Sequence, residues 1–74
     1  THAEYQDLED RLYSFLNELS EEERSALLLK NVEGFQLAQI AEILNVSVST
    51  ASRLVIRANE KILSIAKREN LVPD

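Results

Sequence analysis

Apolar residues recur along this chain at intervals of three and four, the period of helices with one buried face, and not at the alternating spacing of half-buried strands. Tyr5, Leu8, Leu12, Phe15, Leu16 and Leu19 predict a first helix over about residues 4–18, with a mostly acidic outer face. The stretch Leu19-Ser20-Glu21-Glu22-Glu23 then reads as a helix start. The Ser20 hydroxyl can accept from the Glu23 amide, the Glu23 side chain can reach back to the Ser20 amide, and Leu19 can staple onto the next turn. The three glutamates suit the positive end of the helix dipole. A second helix is therefore predicted over 21–32, turning Ala26, Leu27, Leu28 and Leu29 inward, with Gly34 free to take the left-handed closing conformation. A third is predicted over 37–44, with Leu37, Ile40, Ala41 and Leu44 as its buried stripe and Ala41 small enough for a close crossing. Asn45 tolerates the left-handed conformation and closes it, and Val46 returns to the core. Ser47 caps a fourth helix over 48–67, its oxygen available to the amide of Ser49 or Thr50.

The fourth helix has two distinct sides. With Arg53 set at 0° and 100° per residue, Ala51, Val55, Ala58 and Ile62 fall within about 40° of the opposite direction. Ser49 and Arg57 lie about 40° either side of Arg53, Thr50 about 60° away, and Ser52 at the edge of that face. Glu60 falls about 20° from Arg53 and Ile56 about 60°. The expected fold is all-α, a small four-helix domain in which the third helix, a tight turn and the fourth helix form a helix-turn-helix. That unit places its second helix in the major groove of DNA.

Length and composition tighten this picture. Seventy-four residues allow one domain, 1–74, with a modest core, and 45% hydrophobic content is ample for folding. One Gly and one Pro argue for helices with short connections. There is no Cys, and His2 is the one histidine, which argues against a metal centre. The longest apolar run, Ala26 to Leu29, is too short to span a membrane, and no signal peptide is visible, so a cytoplasmic setting is expected. No nucleophile–base pair, metal-ligand spacing or phosphate loop suggests an enzyme or a cofactor. The net charge of −5 hides an asymmetry: residues 1–33 carry nine acids against three bases, residues 34–74 four acids against five bases. All five of those bases lie at or after Arg53. Base-edge contacts require short polar or basic residues in the first turns of a recognition helix, with bases nearby for phosphates. Val48, Ser49, Thr50, Ser52 and Arg53 form the candidate reading end, Arg53 being able to make a bidentate contact to guanine. Arg57, with Arg24 and Lys30 on the second helix, are the candidate phosphate contacts.

From Leu16 to Ile62 the chain resembles region 4, the C-terminal domain of bacterial RNA polymerase sigma factors, most of all the small extracytoplasmic-function type. Leu19-Ser20 followed by acids, Arg24 and an apolar run carries the likeness, as do Val32-Glu33-Gly34 leading into Ile40-Ala41-Glu42-Ile43-Leu44, and Val46-Ser47 with Thr50 and then Arg57-Ala58. The resemblance implies a domain that docks near the β-subunit flap of RNA polymerase core and reads the −35 promoter element with its fourth helix. It implies an arginine, Arg24 here, near the DNA backbone, an anti-sigma factor as a further partner, and a longer protein of which this is the C-terminal part. The chain departs from the family where Lys, Ser, Arg is common and Ser52, Arg53, Leu54 stand instead. Asn59 replaces a frequent arginine, Gln36 a serine-type cap, and Glu60 opposes phosphate. Leu54 and Ile56 suit a protein partner. Two other readings stay open: a sigma-like module that binds an anti-sigma factor or polymerase without reading DNA, and an unrelated helix-turn-helix regulator.

Overall fold

The structure, a computed structural model, describes residue 10 and residues 13–69. Among these the chain is helical throughout, joined by short turns, with no strand. Helix α1 is seen over residues 13–17; Tyr5, Leu8 and Leu12 of the predicted first helix lie outside the described residues. The other helices are α2 (Glu21–Asn31), α3 (Leu37–Leu44) and α4 (Val48–Arg68), within a residue of the ends expected from their caps.

Each boundary has a local cause. α1 tightens as it ends, with the Glu18 amide donating to the Phe15 carbonyl at 3.1 Å and that of Leu19 to Leu16 at 3.2 Å. Ser20 then opens α2 with a full capping box: the Glu23 amide donates to Ser20 Oγ at 3.1 Å and the Ser20 amide to Glu23 Oε1 at 2.9 Å. Gly34, at φ +75°, reverses the chain after α2, so that the Phe35 amide reaches back to the Leu29 carbonyl at 3.0 Å. Before α3, the Gln36 amide donates to Gln39 Oε1 at 2.9 Å, half of what a serine cap and its partner would provide. α3 closes on Asn45 at φ 58°, ψ 49°. The Asn45 amide meets the Glu42 carbonyl at 3.2 Å and the Val46 amide meets Ala41 at 2.9 Å, a Schellman closure with asparagine in place of glycine. Ser47 caps α4 by accepting from the Thr50 amide at 3.1 Å.

α4 packs against both α2 and α3, which also meet each other. Ala26, Ile40, Ala41, Ala51 and Val55 form the buried cluster, with Leu29, Phe35, Leu37, Leu44, Val46 and Leu54 packed around it. Three alanines at the centre let the helices approach closely. Ala58 and Ile65 continue the buried side of α4, and Ile62 is half-buried. Two expectations fail here. Leu28 does not turn inward but is exposed, because four consecutive apolar residues fan over about 300° of the helix and cannot share one face. Leu54 is not an outward partner residue. It sits at about 100° on the α4 wheel, within about 40° of Ala58, and packs on the core.

Candidate nucleic-acid interface

The exposed side of α4 is one continuous polar stripe. Ser49, Arg53, Arg57, Glu60, Ser64 and Lys67 all fall within about 40° of the Arg53 direction, with Arg68 at about 60° and Lys61 at about 80°. All of them are solvent-exposed. The stripe runs roughly 22 Å from Ser49 to Ser64 at 1.5 Å per residue. Its N-terminal end is held by three fixed points: Asn45, the Ser47 cap, and Ala51 at 0% exposure. Val48 and Ser49 project at the tip. Thr50 is half-buried and its hydroxyl accepts from Ser47 Oγ at 2.9 Å, so it serves the cap before anything outside the chain. Ser52 is half-buried on the flank.

The bases on this stripe are not equivalent. Lys61 donates to Glu23 Oε1 at 2.7 Å, the same oxygen that receives the Ser20 amide, so the carboxylate that completes α2's capping box also ties α2 to α4. Lys61's ammonium, then the Ser20 amide, hold the buried Glu23 carboxyl below its ordinary value, although burial pushes it the other way. Arg68 donates to Glu18 Oε2 at 2.8 Å across the open end of the bundle. Among the described residues Arg53, Arg57 and Lys67 form no ion pair within the molecule. Sequence reasoning missed the Glu23–Lys61 pair, which joins residues 38 apart and leaves no local signature.

The two candidate bases of α2 stand apart. Arg24, in the first turn, donates to Asn17 Oδ1 at 3.3 Å in an exposed contact, next to Glu23 and hence at the Lys61 level of α4. Lys30 is exposed in the last turn. Glu23, Arg57, Glu60, Lys61 and Ser64 line a shallow cleft where α2 meets the stripe. Away from the stripe, Leu16, Leu27, Leu28, Asn31, Val32, Asn59 and Ile62 line a largely apolar groove between α1, α2 and α4. Among the described residues no group of acids and histidines is placed to hold a metal ion, and no helix is long and apolar enough to cross a membrane.

The family model for sigma-70, region 4, matches residues 9–62, which is most of the chain and takes in helices α2 and α3 and α4 as far as Ile62. The chain belongs to the sigma-70 region 4 family. No curated protein and no solved structure matches it. As a region 4 domain it is a transcription-factor module of a family whose members act with RNA polymerase and promoter DNA and are not enzymes. The match removes the reading as an unrelated helix-turn-helix regulator.

Proposed function

We propose that this region 4 domain reads the −35 promoter element with α4 while docked on the RNA polymerase core near the β-subunit flap, in the bacterial cytoplasm. The observation that carries the proposal is the stripe itself. Val48, Ser49 and Arg53 are exposed at the capped end of a helix whose other side is locked into the core, the arrangement a recognition helix requires. Ser49, Ser52 and Arg53 meet base edges in this reading, and Arg57, Arg24 and Lys30 meet phosphates. Three phosphate-facing bases are few, so the isolated domain binds weakly and polymerase supplies much of the hold.

Titration of −35-type and scrambled duplexes at two salt concentrations tests this. The expected result is salt-sensitive binding with a preference for the −35-type duplex, and loss of preference at one base pair in Arg53→Ala. Equal affinity for both duplexes in wild type sinks the promoter-reading assignment. A module that binds protein without reading DNA is the second reading. It loses Leu54, which is packed inward, but the apolar groove and exposed Ile56 favour a protein contact. An anti-sigma factor covering that groove or the stripe belongs to either reading.

A further inference from the structure

We infer that Glu60 is an affinity-limiting residue of the α4 stripe, a carboxylate placed among the DNA-facing bases so that the domain holds duplex DNA only loosely. The inference rests on the reading of α4 as the DNA-facing helix, and it concerns a residue that reading does not use. Glu60 lies about 20° from Arg53 on the helix wheel, closer to the axis of the stripe than Arg57 at about 40°. It is exposed, and it shares a cleft with Arg57, Lys61 and Ser64.

Nothing inside the fold accounts for it. Among the described residues Glu60 makes no hydrogen bond and no ion pair, whereas Glu18 and Glu23 each clamp a base of α4. It caps no helix and packs against no core side chain. Its i−3 neighbour Arg57 is on the N-terminal side, the weaker order for a helix pair. Glu60 therefore acts outward. A duplex laid along the stripe brings phosphates toward Arg57 and Glu60 together, and within a Debye length the Glu60 carboxylate and the phosphates repel. Glu23 works in the same direction, because it holds Lys61, the next base along, at 2.7 Å. The stripe of five bases thereby presents far less net positive charge than its sequence suggests.

The test is duplex titration against salt for wild type, Glu60→Gln, Glu60→Lys, Glu33→Gln and Arg53→Ala, with thermal unfolding of each. Glu33 is exposed beyond α2, beside Ile43 and Leu44 of α3 and off the stripe, so its variant changes net charge equally without touching the interface. Glu60→Gln is expected to tighten binding roughly three- to tenfold at low salt, with the gain fading as salt rises. Glu60→Lys is expected to tighten it further and steepen the salt dependence by about 0.9 in log–log slope, one added phosphate contact. Glu33→Gln is expected to change little. Equal gains from Glu33→Gln and Glu60→Gln would show a net-charge effect and overturn the inference. So would unchanged affinity in Glu60→Gln alongside loss in Arg53→Ala, an outcome that leaves the DNA-binding reading standing. Absence of duplex binding in every variant would overturn both.

Discussion

Asn45 and Gly34 occupy the left-handed region at φ 58° and φ +75°, and each does so at the point where the chain must reverse between helices. A side chain with a Cβ pays for that conformation by roughly 1–2 kcal/mol, which asparagine offsets through local hydrogen bonding and glycine escapes. Asn45→Gly is expected to hold or raise stability, and Asn45→Val to lower it by about 1–2 kcal/mol in denaturant unfolding. At Gly34 an added Cβ would meet nothing within 4 Å, so Gly34→Ala should cost only the backbone term, about 1 kcal/mol, without a packing penalty. A loss of several kcal/mol there would reveal a contact that the open surroundings exclude. Both positions are legible in sequence because the requirement is local: few residue types tolerate positive φ, and these two follow runs with helical period. Leu54 and Leu28 were misread for the complementary reason. Hydrophobicity alone does not say which way a residue points: Leu54 lies at the edge of α4's buried arc, whereas Leu28, about 160° around α2 from the fully buried Ala26, lies on its far side.

Among the elements, the tie between α2 and α4 is where local grammar and tertiary structure meet. The Ser20–Glu23 capping box is readable from four consecutive residues, but Glu23's second partner comes from 38 residues away, and no periodicity announces it. Glu23→Gln keeps an oxygen for the Ser20 amide, since glutamine also completes a capping box, and so isolates the charge on Lys61. Lys61 is half-exposed, at 48% for its side chain, which places the loss at about 1 kcal/mol rather than the cost of a fully buried pair. The pH dependence has a definite sign. Glu23's carboxyl lies below its ordinary value in the fold, so the folded state binds fewer protons than the unfolded chain. The contribution is whole above the ordinary carboxylate range and drains away as pH falls through that range to the depressed folded value. The gap in unfolding free energy between wild type and Glu23→Gln should therefore narrow from neutral pH toward about pH 3. A constant gap would assign the loss to packing instead. Ser47→Ala offers a parallel measurement at the start of α4, where loss of the Thr50 amide bond should cost about 1 kcal/mol.

For the whole molecule, the consequence of these packings is that α4 serves two surfaces at once. Its stripe faces one way, and about 120–180° around the helix Asn59 and Ile62 help line the apolar groove with Leu16, Leu27, Leu28 and Val32. The groove could not be read from the sequence, because it depends on three helices meeting and on Leu28 pointing away from the core. If the groove is the polymerase-docking face and the stripe the promoter-reading face, the two are separable by substitution. Val32 is 71% exposed, so Val32→Glu should leave unfolding within about 0.5 kcal/mol of wild type while placing a charge on the groove. It is expected to weaken capture by polymerase core or its flap segment at least tenfold, a charge in an apolar contact costing more than about 1.4 kcal/mol, and to leave duplex affinity unchanged. Arg53→Ala should do the reverse, keeping polymerase binding while losing roughly 1–3 kcal/mol of discrimination at one base pair. With Arg57, Arg24 and Lys30 as the phosphate-facing charges, the wild-type duplex affinity should fall with a log–log salt slope of only about −2 to −3. Polymerase binding through an apolar groove should be nearly indifferent to salt. Titrating both partners with both variants across one salt series resolves the matter, since loss of both activities in either variant would mean a single shared surface.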